Sequence, residues 1–128
     1  MGHGDELAVV DGNFPAAAIA RRLIHLPTLS AAQALDAVLT LFPLDTATTP
    51  AALTMQVIAD PAAVPETVRE FAAILSRYGV KPSTMGSLER EAFYARARSA
   101  FAIVRTADAR PYGNILLVKG VVNEYRGG

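Results

Sequence analysis

Apolar and polar positions alternate along this chain with two periods, and the switches between them mark out its elements. Glu6–Val10 is a short apolar run closed by Asp11-Gly12-Asn13 and then Pro15, which predicts a buried strand ending in a turn. Leu23–Leu26 reads as a second short strand, stopped at Pro27. Ser30 is a good helix N-cap, and Leu35, Val38, Leu39 and Phe42 follow it at helical spacing until Pro43. Leu53–Ala59 has strand character. Pro65 suits the first turn of a helix whose apolar stripe is Val68, Phe71, Ala72 and Leu75, with Gly79 where a C-terminal cap belongs. Lys81–Gly86 reads as a loop, after which Ser87 is placed to cap a third helix carrying Leu88, Ala92, Phe93 and Ala97. Ala100–Thr106 and Ile115–Val122 read as strands covered on both faces, joined by a turn through Asp108, Pro111 and Gly113. Strands alternating with helices predict an α/β layered domain, although periodicity does not fix the strand order.

Composition narrows the class. At 128 residues the chain fits one domain, spanning 1–128, and 52% hydrophobic with 19% charged residues is more apolar than an average soluble domain. That excess suggests burial against other subunits. Twelve Lys+Arg balance twelve Asp+Glu, and no basic run exceeds Arg21-Arg22, so the basic patch a nucleic-acid partner needs is missing. With no cysteine, and only His3 and His25 as histidines, disulfide frameworks and multi-His zinc sites are outside the reading. No apolar run approaches the ~18 residues of a membrane span, and the start lacks the pattern of a signal peptide. The expected compartment is the cytoplasm, with no membrane partner.

Three stretches hold polar residues that packing does not explain: Met1-Gly2-His3-Gly4-Asp5-Glu6 with Val10-Asp11-Gly12-Asn13-Phe14-Pro15; Glu89-Arg90-Glu91-Ala92-Phe93-Tyr94; and Tyr112-Gly113-Asn114-Ile115-Leu116-Leu117. Together, in order and over almost the whole chain, they resemble the ribose pyranase/fucose mutarotase family. Ribose pyranases carry a histidine near the position of Arg90, so the arginine and Gly113 place this chain on the fucose mutarotase side. The resemblance, joined to the alternation of elements, implies a three-layer α/β sandwich with a mixed central sheet and helices on both faces. It implies interconversion of the α and β anomers of a free monosaccharide such as L-fucose, with His3 as proton donor and Asp11, Arg90, Tyr112 and Asn114 binding the sugar. It also implies no metal or organic cofactor, and a homo-oligomeric ring, a pentamer or decamer, with sites at subunit boundaries. Family members carry a helix ahead of the histidine motif; this sequence starts at the motif, so either its start was assigned too late or that helix is absent.

The residues permit that chemistry. Anomer exchange needs a proton delivered to the ring oxygen as one leaves the anomeric hydroxyl, and an unperturbed imidazole, titrating near about 6.5, serves both directions. Asp11 precedes Gly12 and would by itself be read as an Asx turn. With Ser87 as N-cap, Arg90 would be the third helical residue, where a cation opposes the helix dipole and a role in binding gains weight over a role in stability. Tyr112 and Asn114 offer a ring edge, a phenol and an amide to a neutral polyol. His25, between Ile24 and Leu26, reads as structural, and Tyr94, Arg96 and Arg98 as a solvated helix face or subunit contacts. A strand rises about 3.3 Å per residue, so His3 and Asp11 stand roughly 17 Å apart if the chain runs straight. Either the glycine-flanked His3 segment folds back, or the two serve sites shared between chains. The competing readings are a D-ribose pyranase, a non-catalytic monosaccharide-binding protein and, more weakly, a metal enzyme using Asp5, Glu6 and Asp11.

Overall fold

The computed structural model describes residues 5–44 and 50–120. Its elements follow the order β1 (Glu6–Val10), α1 (Ala16–Ile19), β2 (Leu23–Leu26), α2 (Ala31–Leu39), β3 (Ala52–Met55), α3 (Glu66–Arg77), a 3₁₀ turn (Pro82–Thr84), β4 (Gly86–Leu88), α4 (Arg90–Ser99), β5 (Ala102–Thr106) and β6 (Ile115–Val118). The strands form one six-stranded sheet in the order β2-β5-β1-β6-β3-β4. β1 runs parallel to β5 and antiparallel to β6, and β3 is antiparallel to β6 while parallel to β4. Since β2 is parallel to β5, every strand but β6 points the same way. The sheet is therefore mixed, with β1 at its centre.

The near-continuous apolar runs of β1, β5 and β6 are explained by helices on both faces. Leu7, Val9, Val104, Ile115 and Leu117 face α2 and α3, meeting Leu35, Leu39, Phe71 and Leu75. Ala8, Val10, Ile103 and Leu116 face the other way, onto Phe14, Ala16, and Phe93 and Ala97 of α4. The expected three-layer α/β sandwich is the observed architecture.

Local chemistry explains the helix ends. Ser30 accepts from the Gln33 N–H at 3.1 Å while the Gln33 side chain accepts from the Ser30 N–H at 2.9 Å, a reciprocal cap on α2. Gly79 takes φ +82° after α3, a conformation that favours glycine.

Several expectations are corrected. Ser87 does not cap α4: it pairs with Thr54 in β4, a strand absent from the sequence reading because it is only three residues long. The cap is Glu89, whose carboxylate accepts from the Ala92 N–H at 2.9 Å, so Arg90 is the first helical residue rather than the third. The strand expected over Leu53–Ala59 ends at Met55, and α1 was not foreseen. β6 ends at Val118 within the described residues, and positions 121–122 of the expected strand lie outside them. His25 is exposed on the edge strand β2, beside Leu23 and Ile24, themselves 42% and 47% exposed. β5 and β6 do not pair, because β1 lies between them. Residues 107–114 thus cross the carboxyl end of β1.

Candidate functional site

Carboxyl ends of parallel strands are where open α/β sheets place their ligand crevices. Here the ends of β1, β3 and β4 meet the segment entering β6, and between them lies a cavity of about 200 Å³. Asp11, Asn13 and Phe14 line it from beyond β1, Met55 and Ile58 from the end of β3 and beyond, Arg90 and Tyr94 from α4, and Pro111, Tyr112 and Asn114 from the crossing segment. All four of the sugar-contact residues expected from the sequence, Asp11, Arg90, Tyr112 and Asn114, are brought together. His3 lies outside the described residues. Asp5 and Glu6 stand at the opposite end of β1 from the cavity, and a five-residue strand spans roughly 17 Å.

Asp11 is buried, and its carboxylate ties two loops together. Oδ1 accepts from the Asn13 N–H at 2.9 Å, the expected Asx turn, and Oδ2 accepts from the Gly113 N–H at 3.1 Å. Its own N–H donates to Asn114 Oδ1 at 3.0 Å, a second link to the segment entering β6, here to a residue 103 positions away. Burial pushes the Asp11 carboxyl above the usual range, against the opposing effect of the N–H groups of Asn13, Gly113 and Phe14. Asn114 Nδ2 has Met55 Sδ at 3.9 Å, and thioether sulfur is a weak acceptor, so the amide keeps donor capacity at the cavity wall.

Tyr112 has φ +63°, uncommon for a residue with a Cβ. Two contacts hold it there: its carbonyl accepts from Thr67 Oγ1 at 3.0 Å, and its phenolic oxygen accepts from the Ile58 N–H at 3.1 Å. The phenol therefore retains its own proton for donation. Gly113 follows because of space. A Cβ there would stand 3.2 Å from Asp11 Cβ and 3.4 Å from Ala31 Cβ, both on tightly held backbone. Gly113→Ala is expected to cost about 1–3 kcal/mol by overpacking, and chemical denaturation of the two proteins measures it.

Arg90 lies at the positive end of the α4 dipole, its Nε 3.6 Å from a carboxylate oxygen of Glu91, with both side chains about half exposed or more. Such a pair is weak, which leaves the guanidinium able to donate into the cavity. Tyr94 corrects the reading of α4. It lines the cavity and meets Phe14 edge-on at 5.2 Å. Its spacing of four from Arg90 puts both on one helix face, a signal the sequence contained. Arg96 instead pairs with Glu6 through two guanidinium nitrogens, at the far end of the sheet. Ile58 and Met55 had no such signal, since their place depends on where β3 ends.

Behind the crossing segment stands an ion cluster. Arg110 binds Asp108 Oδ2 at 2.8 Å and both oxygens of Glu70 at 2.8 Å, and its NH1 reaches Glu66 at 2.9 Å. Asp108, itself buried, also accepts from the Ala31 N–H at 3.0 Å, at the N-terminus of α2. The Arg110 guanidinium, followed by the N–H donors, holds the Asp108 carboxyl down at about 2. The cluster thus fixes the segment two residues ahead of Tyr112 to both α2 and α3.

A metal site on Asp5, Glu6 and Asp11 is not assembled, because the first two stand at the opposite end of β1 from the third and Glu6 is committed to Arg96. Among the described residues, no helix is long and apolar enough to cross a membrane.

The chain is 41% identical to human fucose mutarotase and 39% identical to the bovine enzyme, in each case over 95% of this chain and 82% of the relative. The crystal structure of fucose mutarotase from Streptococcus pneumoniae, in complex with L-fucose, superposes with a TM-score of 0.88 at 36% identity, covering 95% of this chain and 86% of that one. The model of the RbsD / FucU transport protein family matches residues 1–122, and with a cavity walled by the very motifs that suggested it, this chain belongs to that family.

Proposed function

We propose that this chain is an isomerase, a sugar mutarotase that exchanges the α and β anomers of a free monosaccharide, with L-fucose as the preferred substrate. The observation that carries the reading is the convergence of Asp11, Arg90, Tyr112 and Asn114 on one small cavity at the carboxyl edge of the sheet. Sites for drug-sized ligands run to about 300–1,000 Å³, so a cavity of about 200 Å³ suits a single sugar ring. Its polar groups include donors (the guanidinium, the phenol, the amide) and acceptors (the carboxylate and the phenolic oxygen), as a neutral polyol requires. The human and bovine relatives are fucose mutarotases, and the pneumococcal one binds L-fucose.

In this reading the sugar rests on Arg90, Tyr112 and Asn114, with Asp11 holding the last two in register. A proton moves to the ring oxygen, the C1–O5 bond breaks, and the anomeric hydroxyl gives up its proton as the aldehyde forms. Rotation about C1–C2 and closure on the other face return both protons. His3 supplies the imidazole. The chain enters β1 at the edge opposite the cavity, which favours His3 serving the cavity of a neighbouring subunit in a homo-oligomeric ring, a pentamer or decamer. The exposed Leu23 and Ile24 on the edge strand β2 support such an assembly. Neither metal nor organic cofactor enters the reaction. The chemistry, and a chain free of cysteine, suit the cytoplasm.

Magnetisation exchange between the anomeric proton signals of L-fucose tests the reading. Purified protein is expected to raise the exchange rate well above the buffer value, and D-ribose run in parallel to show weaker ring-form exchange. Arg90→Ala is expected to lower kcat/KM by about 10–100-fold, the loss of a charge-assisted contact. Protein that binds L-fucose but leaves exchange at the buffer rate would make this a binding protein instead.

A further inference from the structure

We infer that the turn spanning residues 56–61 selects for a 6-deoxy sugar, with Ile58 as the specificity-determining residue; this rests on the mutarotase reading above. The turn leaves β3 at Met55 and doubles back through a bridge between Val57 and Asp60, the Asp60 N–H donating to the Val57 carbonyl at 3.1 Å. Its base is fastened to β4: the Gln56 N–H donates to the Leu88 carbonyl at 2.8 Å, and Gln56 Nε2 to Ser87 Oγ at 3.1 Å. At its tip Ala59 takes φ +64°, a left-handed conformation that a residue with a Cβ avoids.

The tip presents Ile58, whose side chain lines the sugar cavity while 56% of the residue remains open to water. It contributes little to the core, so folding does not explain an aliphatic residue here. A second depression of about 320 Å³ adjoins the same turn, bounded by Gln56, Ala59 and Glu89, and shares Ile58 and Arg90 with the first. Ile58 also fixes a polar group: its N–H holds the Tyr112 phenolic oxygen at 3.1 Å. Side chain and backbone of one residue thus set an apolar surface next to an oriented hydroxyl. With Met55 and Phe14 it supplies apolar lining to a cavity whose polar groups include Arg90, Asn13 and Asn114. L-Fucose has one apolar substituent, the methyl on C5. A hydroxymethyl in its place would set a polar group where Ile58 and Met55 offer the methyl apolar contact, and would lose that contact's share of the binding.

The test compares kcat/KM for anomer exchange on L-fucose and on L-galactose, the same sugar with a hydroxyl on C6. Wild-type protein is expected to favour L-fucose by about 10–100-fold, the range a hydrophobic pocket achieves against an added hydroxyl. Ile58→Ala is expected to narrow that ratio about tenfold, chiefly through KM for L-fucose, and Ile58→Val to preserve it. Circular dichroism confirms that each variant is folded. A ratio unchanged in Ile58→Ala, or two sugars slowed equally, would overturn the role of Ile58 while leaving mutarotase activity standing. Wild-type protein that exchanges neither sugar would overturn both readings together.

Discussion

His3→Ala is expected to lower anomer exchange by about 10²–10⁴-fold, the contribution of one positioned acid–base group. Among the described residues of the cavity, Arg90 and Asp11 offer no substitute. Arg90 cannot give up its proton in a protein, and each oxygen of Asp11 already accepts a backbone N–H. Binding of L-fucose, followed by titration calorimetry, should survive the substitution, since the sugar-contact groups are elsewhere. Co-expression of His3→Ala with Arg90→Ala adds a test of where the imidazole acts. If His3 serves a neighbour's cavity, a random mixture assembles roughly a quarter of its sites with both groups intact, and activity returns to that extent. If both groups act within one chain, no mixture recovers activity. Failure of recovery in correctly sized oligomers would therefore reject sharing between subunits. A His3→Ala protein as fast as wild type would reject the imidazole as the acid.

The largest stability effect is expected at Asp108. Asp108→Ala removes the buried acceptor of the Ala31 N–H and one of the carboxylates around the part-exposed Arg110, which keeps Glu70 and Glu66, a loss of about 3 kcal/mol. Denaturant unfolding measures it. Activity should fall too, because the crossing segment that carries Tyr112 is no longer fastened to α2, and the loss should appear in KM before kcat. Acid provides an independent readout. The folded carboxyl titrates at about 2, below its unfolded value, so the native state is favoured wherever the group is ionised. That stabilisation is complete above about pH 5 and is lost progressively as pH falls towards 2. Asp108→Asn should flatten this part of the stability profile, while retaining more of the neutral-pH stability than Asp108→Ala. A variant whose acid limb matches wild type would show that Asp108 is not the group responsible.

Much of this was legible in the residue order. The apolar run of β1, the Ser30 cap, the stripe of α3 and the Gly79 stop depend on near neighbours, and each was found where the pattern placed it. The four polar residues of the site were also legible, though through their motifs. By itself Asp11 reads as an Asx turn, and the structure gives it that role and the Gly113 link besides. Misreadings fell where a distant partner decides. Ser87 has the chemistry of a helix cap, but pairing with Thr54 draws it into β4 and passes the cap to Glu89. Tyr94 looks solvated until Phe14 is brought against it.

What the sequence by itself determined is most of the elements, their two-faced burial and the polar motifs, since hydrophobic period, caps and turn residues act over a few positions of chain. The tertiary structure alone decided that β1 separates β5 from β6. That placement carries residues 107–114 over the end of β1, brings Asn114 onto Asp11, and turns residues beyond β3 into the wall of the cavity. Strand order is set by long-range pairing and by the fit of side chains across both faces of the sheet. No local pattern records it.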